Sequence, residues 1–336
     1  MILVGDINLM GVSDPTIPFV QVKDELNGAD IVFGNLECCF YETDIERSIE
    51  DEGFFAPLKA AKALTIAGIH AVGTANNVNY SAPAIRSTLK RLDEAGILHT
   101  GSGADISEAR KPVILHRDGV RFGFLQRTSV YWAHGHAAKE NEPGVATIRA
   151  HTAYRPQTEQ KKTLTRPGMP PEVLTWTDPD ALALFREDVQ ALRSQADVVI
   201  ASHHWGLDAE VLDYQVEIAH TAIDAGADLV MGHGTHFPLA IESYQNKPIF
   251  YGIGSFSFET GHLNRKHPDW IGLMLKVTIE DTLIKRPAFS FVRHNEQNEP
   301  VRRPMDQEQA ELERIRSMSA RFGTSIEVDG DEAVVV

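Results

Sequence analysis

The sequence predicts an α/β fold in which mixed β-sheets stack with helices on their outer faces. Three observations carry this. Short apolar runs bounded by turn signals recur along the chain, as fully buried strands require. Amphipathic helical patterns alternate with them, which implies parallel pairing under covering helices. Further runs come in pairs around turn residues, which adds antiparallel hairpins.

The buried runs share a form. The chain opens MILVGD; residues 29–37 read ADIVFGNLE, 69–77 IHAVGTANN, 196–204 ADVVIASHH and 227–236 ADLVMGHGTH. Each ends in Asp, Glu, Asn or His. Open α/β sheets gather their ligand groups at the carboxyl ends of strands. Helices are expected over 57–67, 82–93, 178–192, 211–225 and 306–321. Pro83 is tolerated in a first turn. Leu212, Val216, Ala219 and Ile223 share one face of the fourth helix, and Gly226 is its expected C-cap. Hairpins are expected around Asp118-Gly119 and at 245–247, with a third between IGLMLKVTIE and AFSFVRH. Residues 1–336 read as a single domain. The stretch 131–175 holds Pro143, Pro156, Pro167, Pro170 and Pro171 and little periodicity, so it is expected to be a lid or cap insertion.

Composition narrows the function. Lys plus Arg is 32 against 47 Asp plus Glu, a net charge of −15. That opposes broad binding to nucleic acid or to an anionic membrane. Cys38 and Cys39 are the two cysteines and are adjacent, so there is neither a disulfide framework nor a metal knuckle. A reducing, cytoplasmic setting is expected, since no signal peptide or membrane-length apolar run is visible.

Asp6, Glu37, Asn77, His203 or His204, His233 and His236 form one candidate metal constellation. Carboxylate, amide oxygen and imidazole together suit Mn, Fe or Zn, with Mg admitted. A bridging carboxylate lets a pair of divalent ions sit close together and acidify a water.

The order GD, NLE, NN, HWG, GHGTH and a GIGSF strand end resembles the CapA family, named for capsular poly-γ-glutamate synthesis and similar to calcineurin-like metallophosphatases. The similarity runs from Val4 to roughly Gly330. It implies a four-layer α/β/β/α sandwich with a dinuclear site at strand ends. The resemblance places Asp6 as first metal ligand, Glu37 as bridging carboxylate, Asn77 as the second Asn of NNH, and His204 as the His of HWG. His203 competes with His204. His233 and His236 match the GHGPH form, with Thr235 in place of Pro. Asn8 stands where metallophosphatases often carry His. The family pattern NNHxxD departs here: Val78 replaces the His and Ser81 the Asp. Ser255 stands where GNF has Asn. Valine can neither donate nor accept a proton, which weighs against ordinary phosphoesterase chemistry.

Other residues carry a functional and a plainer expectation. Asp208 would orient a ligand His, or is a solvated loop acid. Trp205 would wall a pocket, or is a core aromatic. Arg127, Tyr131, His134 and His136 would bind a substrate carboxylate or act as acid and base, or are ordinary loop residues. The leading expectation is hydrolysis of an amide, peptide or ester bond of a small carboxylated or peptide substrate by a metal-bound hydroxide. His203, Asp208 and His134 are its catalytic candidates; Arg127, Tyr131 and Trp205 are its substrate contacts. The alternatives are metal-assisted proton abstraction (epimerase or lyase), a phosphoesterase, and a non-catalytic polyglutamate-related component.

Overall fold

The computed structural model describes residues 1–42, 53–157, 168–206, 209–258, 270–297 and 299–336. Asp208 lies outside the described residues, as does part of the 131–175 insertion.

Two large sheets stack face to face. Their strands, in chain order, are β1 (Ile2–Asn8), β2 (Val32–Leu36), β3 (Ala71–Gly73), β4 (Leu98–Thr100), β5 (Val113–Arg117), β6 (Val120–Thr128), β7 (Val198–His204) and β8 (Leu229–His233). They continue with β9 (Ile241–Tyr244), β10 (Lys247–Phe250), β11 (Ser255–Phe258), β12 (Ile271–Glu280), β13 (Leu283–His294), β14 (Pro300–Arg303), β15 (Ile326–Asp329) and β16 (Glu332–Val335). The first sheet has ten strands in the path β15-β16-β13-β12-β1-β2-β3-β4, with β11 beside β1 and β14 beside β13. The second has six, ordered β9-β10-β8-β7-β6-β5.

Parallel strands lie at the centre of both. β2 and β11 run parallel to β1, and β3 parallel to β2. β6, β7, β8 and β10 are mutually parallel neighbours. The hairpins supply the antiparallel rest: β5–β6, β9–β10 and β12–β13. Their two-residue turns hold positive φ at Asp118 and Gly119, at Gln245 and Asn246, and at Asp281 and Thr282. That handedness matches the twist of the flanking strands.

Side-chain alternation divides the apolar residues into three layers. Leu3, Phe33 and Ala71 of the first sheet meet Phe122, Phe124, Ile200, Leu229 and Met231 of the second in the inter-sheet core. Phe33 and Phe124 stack across it at 4.8 Å between centroids. The outer face of the first sheet buries Val4, Ile7 and Val72 with Leu26, Leu64 and Leu92 of the helices α1 (Lys23–Asn27), α2 (Lys62–Ile66) and α3 (Ala82–Ala95). A short helix, α4 (Ile106–Arg110), precedes β5. The second sheet's outer face packs on α5 (Pro179–Arg193) and α6 (Asp213–Ala225) through Phe185, Val189, Leu192, Ile218 and Ala222. α7 (Gln309–Ser319) buries Leu312 and Ile315 at the rim of the inter-sheet core. The result is the four-layer α/β/β/α arrangement.

Two helical expectations shift in detail. The 57–67 segment forms a tight turn at Leu58–Ala61 before α2. α5 starts after Asp178, whose side chain accepts from the N–H groups of Asp180 and Ala181. Gly226 ends α6 in the left-handed conformation at φ 117°, as its C-cap role requires.

The described part of the 131–175 insertion is ordered. Gly144–Val145 pairs with Ser102–Gly103, and Ala150–Arg155 forms an antiparallel ribbon with Glu172–Thr177. The ribbon is tied to α6 by Thr177 N–H to Glu217 Oε2 at 2.7 Å and Tyr214 N–H to Thr175 Oγ1 at 3.2 Å. Among the described residues no helix is long and apolar enough to cross a membrane.

The inter-sheet stack is expected to dominate stability. Phe124→Ala should destabilise the fold by about 3–5 kcal/mol in urea unfolding. A loss under about 1 kcal/mol would show that the two sheets are not held together there.

Candidate metal centre

Both sheets deliver polar side chains to one place because their central strands are parallel. β1 supplies Asp6 near its carboxyl end, and Glu37 follows β2 directly. Glu37 N–H is held there by Ile7 O at 2.8 Å. β7 and β8 end in His204 and His233, which are paired neighbours in the register. A register shift between Val4 and Asp6 re-aims the Asp6 side chain where β1 meets β2.

The distances define two groups that share Asp6. Asp6 Oδ1 lies 3.6 Å from His233 Nδ1, and His233 Nδ1 lies 3.1 Å from His204 Nδ1. Asp6 Oδ2 lies 3.1 Å from His236 Nδ1, and Glu37 Oε1 lies 3.8 Å from His236 Nε2. Asp6–His204–His233 and Asp6–Glu37–His236 can each bring one ligand atom per residue within 4.8 Å of the others. Asn77 adds its amide oxygen, 2.8 Å from His204 Nε2. The resemblance implies Glu37 as the bridging carboxylate. In the structure Asp6 is common to both groups and Glu37 belongs to one.

The backbone reaches unusual conformations here. His236 has φ 63°, a left-handed value that non-glycine residues adopt at some cost and that appears at functional sites. Gly234, at φ 98°, leaves room for the His204 ring: a Cβ there would lie 2.7 Å from it.

Burial sets the charge states. Asp6 and Glu37 are almost fully buried. Burial alone would raise Asp6, but a hydrogen bond with His236 and the neighbouring imidazoles hold its carboxyl below the usual range. Burial and then the Asp6 charge push Glu37 well above its ordinary value. Burial and then His233 hold His204 well below 6.5, and burial holds His233 down to about 4. Neutral imidazoles offer ring-nitrogen lone pairs to a metal at neutral pH. Two crowded carboxylates beside neutral nitrogens fit a divalent cation, which removes their mutual repulsion.

Strand alternation separates the remaining candidates. His203 precedes His204 on β7 and so points to the opposite face. It stacks on Trp205 at 4.6 Å, meets Phe185 edge-on and places Nε2 3.0 Å from Ser129 Oγ. It is therefore a core residue turned away from the centre, and the catalytic expectation for it is corrected. Arg127 alternates with Gln126 in the same way. Its guanidinium is 2% exposed and pairs with Asp188 on α5 at 2.6 Å. The expected substrate contact is a buried structural ion pair. Trp205 is fully buried, with Nε1–H donating to Tyr251 O at 2.7 Å, so it too belongs to the core. Asn8 closes a turn by accepting from Met10 N–H at 2.9 Å. Val78 is buried in the apolar layer outside the first sheet.

The insertion reaches the rim. Trp132 Nε1–H donates to Asn77 O at 2.8 Å, and Tyr80 O–H donates to the backbone oxygen of His134 at 3.2 Å. His136 Nδ1 accepts from Trp132 N–H at 3.0 Å while Nε2 meets Asn79 O at 3.1 Å. Tyr131 is half-buried and His134 exposed on this segment.

Sequence reading missed Asn35, Gln126 and Ser202. Asn35 Nδ2 donates to Asp6 Oδ1 at 2.8 Å and reaches Glu37 Oε2 at 3.5 Å. Gln126 and Ser202 contact His233 Nε2 at 3.0 and 2.9 Å. Gly73 admits Gln126, since a Cβ at 73 would fall 2.3 Å from the amide. The signal was present: Phe122, Phe124 and Gln126 alternate along β6, so the glutamine breaks an inward apolar row.

Comparison with known proteins agrees with the geometry. The family model described as "Bacterial capsule synthesis protein PGA_cap" matches residues 2–260. The chain belongs to this family. It is 27% identical over 255 residues to the capsule biosynthesis protein CapA of Bacillus anthracis, covering 74% of this chain and 55% of that protein. It is 26% identical over 249 residues to the PGA biosynthesis protein CapA of Bacillus subtilis, covering 72% and 57%. A probable polyglutamine synthesis accessory protein of Mycobacterium tuberculosis is 30% identical over 227 residues, covering 63% and 53%. The chain thus spans about half the length of these relatives. The fold is that of the metallophosphatase-like superfamily to which PGA_cap belongs.

His136 gives a pH test of the rim. Burial holds its pKa down to about 4, against 6.5 ordinarily. Below pH 6.5 the unfolded chain gains a proton here, and the folded chain does not until about pH 4. Stability therefore falls as pH falls through that window, by on the order of 2–3 kcal/mol from this group. His136→Gln, which keeps an acceptor and a donor, should flatten the fall of melting temperature between pH 6.5 and 4. An unchanged slope would contradict a buried neutral His136.

Proposed function

We propose that this chain is a dication-dependent hydrolase of an amide, peptide or ester bond in a small acidic or peptide-like substrate. The supporting observation is the convergence of Asp6, Glu37, Asn77, His204, His233 and His236 at the strand ends, with Asp6 within reach of both imidazole groups. These six residues would hold a pair of divalent ions. Dications there supply Lewis acidity toward a carbonyl and lower the pKa of water. The protein's part is to hold the carboxylates in place through Asn35 and to exclude bulk water from the floor. Relatives named for capsule, PGA and polyglutamine synthesis favour a glutamyl-type amide as the bond acted on.

Phosphate esters fit less well. Val78 lies in an apolar layer, so that position offers no proton to a leaving group. We assign proton donation to His134, exposed on the segment that Tyr80 and Trp132 fasten beside Asn77. The competing reading is a polymer-binding component without turnover, which draws on the relatives' accessory names.

The test uses chelator-stripped protein with γ-glutamyl-p-nitroanilide and p-nitrophenyl phosphate as probes. The anilide should be cleaved only after Mn or Zn is restored, and the phosphate ester more slowly. Asp6→Asn should lower the rate by about a hundredfold or more, and His134→Ala by a similar factor with ion content unchanged. Cleavage that survives chelation, or polyglutamate binding without turnover under any loading, contradicts the proposal.

A further inference from the structure

Asn77 reaches the centre from the loop that follows β3. Its neighbours in that loop are anchored to the first sheet by their own side chains. Asn76 Nδ2 donates to Leu36 O at 2.8 Å and to Asn35 Oδ1 at 3.1 Å. Asn79 Nδ2 donates to Thr74 O at 2.8 Å and to Leu36 O at 3.0 Å. The Asn77 side chain makes no such anchor and turns to His204 Nε2 at 2.8 Å. Among the described residues, the Asn77 backbone has one hydrogen-bond partner: Trp132 Nε1–H, which donates to Asn77 O at 2.8 Å. The loop ends at Ser81 with φ 75°, a left-handed value that a non-glycine residue holds only where its surroundings fix it.

Trp132 is fixed in turn. Its backbone N–H donates to His136 Nδ1 at 3.0 Å, and His136 Nε2 meets Asn79 O at 3.1 Å. A backbone N–H can only donate and a carbonyl can only accept, so the ring is held with its lone pair on Nδ1 and its proton on Nε2. His136 is 1% exposed, and Tyr80 packs edge-on against it at 5.2 Å. The hydrogen bonds close on themselves: Asn77 O to Trp132, Trp132 to His136, His136 to Asn79 O, and back along the backbone of 77–79. Both His136 nitrogens are engaged and indole is a donor only, so neither residue is itself a ligand. They hold the backbone that presents one.

We propose that Trp132 is a positioning residue for Asn77: the 131–138 segment clasps the 77–80 loop and so sets how tightly the centre holds its dications. With the clasp shut, the Asn77 peptide is already ordered before an ion arrives. With the clasp open, that ordering opposes binding. The coupling is reciprocal, so ions that use Asn77 also hold the clasp shut, by the same factor. The indole is 40% exposed, so water competes for its hydrogen bond and the factor is modest. The inference rests on the dication reading above and deepens it.

The experiment titrates chelator-stripped full-length protein with Mn²⁺ by calorimetry. Trp132→Phe keeps an aromatic ring and removes the N–H, and should weaken Mn²⁺ binding by about threefold to tenfold. Asn77→Ala removes the ligand, and on that background Trp132→Phe should cost nothing further. A residue that merely supports the fold would cost the same on either background. Trp176→Phe, on the ribbon of the same insertion, should leave the affinity unchanged; thermal melts of the metal-free variants check folding. A second measurement needs no variant: in the native protein Mn²⁺ should slow hydrogen–deuterium exchange of a peptide spanning 131–138, read by mass spectrometry, by a matching factor. Unchanged affinity in Trp132→Phe, an equal loss on the Asn77→Ala background, a loss in Trp176→Phe, or exchange that ignores Mn²⁺ would overturn the inference while leaving the dication reading intact. No Mn²⁺ binding by the native protein would overturn both.

Discussion

Two carboxylates, Asp6 and Glu37, are buried side by side within reach of one amide, Asn35 Nδ2. Ionised groups without water or a partner are costly, so this pair constrains everything around it. The responses are visible. Glu37 is pushed toward its neutral form, Asp6 is held charged by imidazoles, and Asn35 donates to both. Asn35 is in turn held by Gln126 and Asn76, and Gln126 by the Ala75 backbone. A buried polar network of this kind is stable when every member has its partner.

The fold makes that network reachable. Parallel strands end on one edge, and stacking two such sheets brings the edges together over an apolar floor of Phe33 and Phe124. Asp6 and Glu37 come from one sheet, His204 and His233 from the other. The first-sheet members alone would leave unbalanced acids; the second-sheet members alone would leave a pair of neutral histidines. Residues 131–138 then add a rim, with Trp132, His134 and His136 hydrogen-bonded to the 77–80 loop.

Much of this was legible in the sequence. Five apolar runs ending in ligand-type residues, three of them opening with Ala-Asp, marked central strands, and hairpin signals marked the antiparallel ones. The ordered motifs picked out Asp6, Glu37, Asn77, His204, His233 and His236, all of which converge. What was not legible depends on side-chain direction. Arg127 and His203 carry the right chemistry, yet alternation turns each to the helix-covered face, toward Asp188 and Trp205. The shared role of Asp6 depends on how two sheets meet, which no local pattern encodes. Gln126 could have been found as the polar break in an inward apolar row, but its partners on Ala75, Asn35 and His233 lie far away in sequence.

The central claim is that one carboxylate, Asp6, joins two cation positions. Anomalous diffraction from crystals of the protein equilibrated with excess Mn²⁺ tests it most directly. The account predicts two anomalous peaks, one between Asp6, Glu37 and His236 and the other between Asp6, His204 and His233, both within bonding distance of Asp6. Peaks that share Glu37 and leave Asp6 outside, or no peak at these strand ends, would contradict it.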